Sequence, residues 1–84
     1  MHEEIEDRVM RAVANVTHTS VEQLTPDKTF EELGLTSLDA LAIVAELEEE
    51  FGIEISNEDA MSLRNMRQAM ECVHALMASK AGQL

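Results

Sequence analysis

The sequence predicts an all-α bundle of three longer helices and one short one, and three observations carry that prediction. Apolar residues recur at helical spacing in three separate stretches. Capping patterns, a Thr or Ser followed three residues later by an acid, stand at two of the helix starts. The 84 residues are 45% apolar, enough to bury a core without staples, so residues 1–84 are expected to form one small domain.

Ile5, Val9, Ala12, Val13 and Val16 share one helical face and predict a first helix over about residues 3–16. Glu3, Glu4, Glu6 and Asp7 lie near its start, where the positive end of the dipole favours acids. Residues 17–36 show no sustained period and contain the single proline, Pro26, and Gly34. Val21, Leu24, Phe30, Leu33 and Leu35 punctuate this stretch. It therefore reads as a long connection pinned to the core, with short helical turns near Val21–Leu24 and Phe30–Leu33.

Ser37 to Phe51 holds no Gly or Pro and is rich in Leu, Ala and Glu, which predicts the second helix. Thr36 caps it in a Thr-x-x-Asp box with Asp39, and Gly52 stands where a left-handed C-terminal cap belongs. Leu41, Val44, Leu47 and Phe51 are expected to form its inward stripe, flanked by Ala40 and Ile43. Asp39, Ala42, Glu46 and Glu49 are expected on the opposite face. Ser56-Asn-Glu-Asp opens a short helix to about Leu63, and Asn65-Met-Arg-Gln opens the last one. Met66, Met70, Val73 and Met77 carry that last helix over about 66–78, leaving 79–84 as a frayed tail.

Seventeen acids against six bases give a net charge of −11, and only two residues are aromatic. Such a chain repels phosphate backbones and anionic membranes and has few rings on which bases could stack, so neither partner is expected. One cysteine rules out an internal disulfide, and no run is long enough for a membrane span. The N-terminus is acidic where a signal peptide would be basic, so a cytoplasmic protein is expected. A monomer is expected as well. His2, His18 and His74 have no metal-ligand spacing, and no calcium loop or Gly-rich phosphate loop is present. Cys72 reads as a packed small residue, and the six Met mostly as deformable core filler.

The informative stretch is Phe30-Glu-Glu-Leu-Gly-Leu-Thr-Ser-Leu-Asp-Ala-Leu, followed by Glu46-Leu-Glu-Glu-Glu-Phe-Gly-Ile-Glu-Ile. Here the sequence resembles the acyl carrier proteins, over nearly its whole length. The resemblance implies the four-helix acyl-carrier fold with a long first loop. It also implies that Ser37 carries 4′-phosphopantetheine, transferred from coenzyme A by a phosphopantetheinyl transferase. The arm would hold acyl groups as thioesters for loading, condensing and other acyl-processing enzymes, the domain itself doing no catalysis. Leu38, Asp39, Glu46, Glu48 and Glu49 would form the docking surface for basic patches on those enzymes. Leu41, Val44, Leu47, Phe51, Ile55 and Leu63 are the candidate lining for an acyl chain.

A physical reason for phosphate at Ser37 stands apart from the resemblance. A hydroxyl in the first turn of a helix is open, and phosphate there meets free N–H groups and the dipole's positive end. Two departures from the family pattern are Thr36, where Asp usually precedes the serine, and Ala42, where an acid is common. They bear on partner choice. An aminoacyl or peptidyl carrier, and an unmodified acidic helical adaptor of the same fold, stand as alternatives.

Overall fold

The computed structural model describes residues 4–82, with side chains as far as residue 80. Four α-helices follow in order: α1 (Ile5–Thr17), α2 (Ser37–Phe51), α3 (Asn57–Ser62) and α4 (Met66–Gly82), with a 3-10 turn at Val21–Gln23. Residue 3, where the sequence starts the first helix, lies outside the described residues. α1 packs along α2 and also against α4, and α2 touches both α3 and α4.

The core is apolar throughout: Val9 and Val13 from α1, Ile43 and Leu47 from α2, and Met66, Ala69 and Val73 from α4 are all buried. Among the described residues no buried side chain is polar or charged, so none has to be compensated for losing its water. Leu24 and Phe30 bring the first loop into this core, while Val21 is 40% exposed and does not. The Phe30–Leu33 stretch is a single hydrogen-bonded turn, with the Leu33 N–H donating to the Thr29 carbonyl.

The loop is also tied to the start of α4. Phe30 donates its N–H to the Arg64 carbonyl at 2.7 Å, Thr29 pairs with Asn65, and Arg67 bonds Asp27 at 2.7 Å. The Asp27 carboxylate raises the Arg67 pKa by hydrogen bonding first and charge second. The twenty-residue connection is therefore a fixed wall rather than a free loop.

Two expectations need correction. α4 runs four residues past its predicted end, so Ser79–Gly82 is helix. The reason lies across the bundle: Lys80 Nζ donates to the Gly52 carbonyl at 3.0 Å and to that of Phe51 at 3.5 Å. The second correction concerns Leu41, which is 64% exposed instead of inward, while Ile43 is buried and belongs to the core. Seven of the eight residues from Leu38 to Ala45 are apolar, with Asp39 the exception, so periodicity could not select the buried face there. Packing against α1 selects it instead.

Candidate functional site

The site is built where the first loop turns into α2. Gly34 adopts φ +82°, a conformation that side-chain-bearing residues rarely take, and lets the chain turn from Phe30–Leu33 toward the helix. Thr36 is then extended and caps α2. The Asp39 N–H donates to Thr36 Oγ1 at 3.3 Å, and Asp39 Oδ2 accepts from the Thr36 N–H at 2.8 Å. This reciprocal box fixes Ser37 as the first helical residue, with its side chain exposed. The Ala40 N–H is taken by the Thr36 carbonyl, so Ser37 and Leu38 hold the free donors of the first turn.

Beside Ser37 runs a groove of about 630 Å³. Its walls are the loop (Thr29, Phe30, Glu31, Leu35), the start of α2 (Thr36, Ser37, Ala40) and the α3–α4 region (Met61, Leu63, Arg64). On the outer surface Leu38 is 77% exposed, Leu41 64% and Met61 78%. Three large apolar side chains are thus left in water around one exposed hydroxyl. Met61 is the exception to the reading of the methionines as mostly core filler, which Met10, Met66, Met70 and Met77 fit.

The expected docking acids divide into two kinds. Glu49 is exposed, whereas Asp39 is half-buried and serves the cap. Glu46 is half-buried and lines a groove against Arg8 and Arg11 of α1 rather than the outer face. Glu48 is half-buried too, and its carboxylate accepts the Ile55 N–H at 2.9 Å, tying the end of α2 to the approach to α3. The outermost row of α2 is Leu38, Leu41, Ala45 and Glu49, so Ala42 and Glu46 sit to one side of it.

Of the candidate lining residues, Leu63 alone both lines the groove beside Ser37 and belongs to the buried core. Leu47, Phe51 and Ile55 are buried in the core, Val44 packs partly buried against it, and Leu41 faces outward. No group of acids, His and Cys among the described residues is arranged to hold a metal ion. His74 bonds Glu6 across α1 and α4, His18 takes the left-handed cap of α1, and His2 lies outside the described residues. Cys72 is half-buried, and burial followed by the charge of Asp59 pushes its thiol pKa up, which suits a packed residue.

Sequence reasoning missed two local devices that shape the site. Thr29 and Glu32 form a reciprocal box, the Glu32 N–H donating to Thr29 Oγ1 at 3.0 Å and Glu32 Oε1 accepting from the Thr29 N–H at 2.9 Å. Ser20 and Gln23 form another around the 3-10 turn. The signal was present in both places as Thr-x-x-Glu and Ser-x-x-Gln. The bonds to Thr29, backbone first and hydroxyl second, also lower the Glu32 pKa.

The start of α2 thus places an exposed serine at a capped helix terminus with a groove at its side. The family profile described as "Phosphopantetheine attachment site" matches residues 7–73. Among curated relatives, the mitochondrial acyl carrier protein of Dictyostelium discoideum is 39% identical over 77 residues, covering 92% of this chain and 64% of the relative. The acyl carrier protein of Nitratidesulfovibrio vulgaris is 33% identical over 70 residues, 82% of this chain and 92% of the relative. The chain therefore spans less than two thirds of the Dictyostelium protein's length and nearly all of the bacterial one's. The chain belongs to the acyl carrier protein family, whose domain is the attachment site of 4′-phosphopantetheine. Among the described residues no helix is long and apolar enough to cross a membrane.

Proposed function

We propose that this protein is a discrete acyl carrier in which Ser37 bears the phosphopantetheine arm. The observation that supports it most directly is the exposed Ser37 hydroxyl held at the first position of a capped α2 beside a groove. Ser37 Oγ forms a bond to the phosphorus of coenzyme A that carries pantetheine, the pyrophosphate bond breaks, and the adenosine bisphosphate leaves as the hydroxyl proton is lost. Among the described residues no His, Lys or carboxylate is bonded to Ser37, so a separate transferase must supply the base. When bound, the arm's terminal thiol supplies the thioester that holds the cargo.

The chain's own residues bind and orient. Leu38 and Leu41 give an apolar centre for docking, with Met61 beside it, Glu49 as its exposed acid and Asp39 half-buried at the cap. Acyl-loading and acyl-processing enzymes with basic patches around an apolar pocket fit this surface. Glu46 and Glu48 add to the negative field, and Glu48 also holds the Ile55 N–H. Leu63 leads from the groove toward the core of Leu47, Phe51 and Ile55, the route by which an apolar chain would be sheltered. The protein acts in this reading as a single-domain, cytosolic monomer serving fatty acid, polyketide or related lipid synthesis.

Intact mass after incubation with coenzyme A and a broad-specificity phosphopantetheinyl transferase tests the assignment. The wild type should gain the phosphopantetheine mass and Ser37→Ala should not. A wild type that gains nothing points to an unmodified adaptor, and a Ser37→Ala that is still modified moves the site elsewhere.

A further inference from the structure

Ten acids and no base occupy residues 29–63, and the first cation after that acidic run is Arg64. Arg64 lines the same groove as Ser37. Its backbone is held at both ends, the N–H donating to Gln68 Oε1 at 2.8 Å and the carbonyl accepting from Phe30 at 2.7 Å. The exposed side chain is used differently from its neighbours. Arg8 pairs with Glu50, Arg67 with Asp27, and Lys80 with the carbonyls ending α2. Arg11 is engaged as well, and Lys28 lies near Glu32, whose pKa is lowered first by its bonds to Thr29 and last by the Lys28 charge. Among the described residues the Arg64 guanidinium has neither an ion pair nor a hydrogen bond.

We infer that Arg64 contacts the phosphodiester of an arm on Ser37 and holds the arm's first segment along the groove. The inference rests on Ser37 as the attachment residue. A phosphodiester there sits at the start of α2 with Asp39 two residues on and Glu31 lining the groove, both of its own sign. Arg64 is the described cation on that groove wall. A guanidinium fork matches two phosphate oxygens, which an ammonium meets only as a point charge. Glu31 lines the same groove, yet among the described residues no ion pair joins it to Arg64. The arm's starting direction is thereby set by this chain before any partner docks.

The test compares the full-length apo and holo proteins, loading being established first by intact mass. On loading, the Arg64 Nε–Hε resonance should shift, while that of Arg67, already paired with Asp27, should stay in place. The phosphorus resonance of the holo protein should move as salt rises from about 0.05 to about 0.5 M, because the contact is exposed and screened. In Arg64→Gln that salt response should be lost, and in Arg64→Lys it should be partly kept. Arg64→Gln keeps both backbone bonds, so its melting temperature should match the wild type's. If the protein gains no mass, the Ser37 reading falls and takes this inference with it. If it loads, but the Arg64 resonance is unmoved and the phosphorus resonance ignores salt, the inference alone is overturned. The wild-type measurement decides the matter even if Arg64→Gln loads poorly.

Discussion

The two ends of α2 are built on opposite plans. At the C-terminal end Glu48, Glu50, Phe51 and the last carbonyls are all engaged. Phe51 is buried with the Arg8 guanidinium 4.5 Å from its ring centre, and Arg8 Nη2 bonds Glu50 Oε2 at 3.1 Å. Glu48 holds the Ile55 N–H, Gly52 closes the helix at φ +63°, and Lys80 covers the last carbonyls. At the N-terminal end only the backbone is locked, by the Thr36–Asp39 box, while Leu38, Leu41 and Ser37 stand in water. One helix is thus anchored at one end so that the other can offer a hydroxyl and apolar side chains without losing its position.

Substitutions can break this contrast, and the largest effect belongs at the anchored end. Phe51→Ala should cost about 3–5 kcal/mol, read as a lower urea midpoint, because it leaves a cavity and removes the Arg8 contact. An effect under about 1 kcal/mol would mean that the end is less tightly built than its burial implies.

The adjacent acids sharpen the comparison. Glu48→Ala should cost about 1–3 kcal/mol by stranding the half-buried Ile55 N–H, whereas Glu49→Ala should stay within about 0.5 kcal/mol. Reversing both charges together would therefore mix a folding defect with a docking defect. Glu49→Lys alone should raise partner KM, with the increase shrinking in high salt.

At the presenting end Leu41→Asp should leave stability within about 0.5 kcal/mol and raise partner KM. A drop in melting temperature like that of a core variant would show that Leu41 is buried after all.

The smallest effect concerns Glu6, whose pKa is lowered from 4.5, first by its own backbone N–H and then by the bond to His74. A lowered carboxylate adds stability above its unfolded pKa and loses it as pH falls through the folded one. The advantage of wild type over Glu6→Gln should therefore be present near neutrality and fade as pH drops below about 4.5. A gap that widens on acidification would contradict the shift.

What was legible in the sequence follows the same division. The span of α2, its Thr36 cap and its Gly52 stop are all local signals, and the structure agrees with them residue for residue. The exposed place of Ser37 at the first helical position follows from that cap. The buried face of α2 could not be read, because Leu38 to Ala45 is apolar nearly all round and α1 decides which side is covered. Glu48 looked like another surface acid because its partner, the Ile55 N–H, is a backbone group seven residues away. The length of α4 was likewise hidden, since Lys80 binds carbonyls from a different helix. Local punctuation is written in the residues themselves; contacts between elements are not.

The repeated caps carry a consequence for the loop. Ser20 with Gln23, Thr29 with Glu32, Thr36 with Asp39, Ser56 with Asp59 and Asn65 with Gln68 each close a turn within three residues. Every one of these closures is short-range, so it costs little chain entropy and can form early in folding. The segment before Ser37 is therefore ordered when the protein folds rather than when a partner arrives. Its conformational freedom is already spent in the free state, leaving an encounter with a partner to order side chains alone.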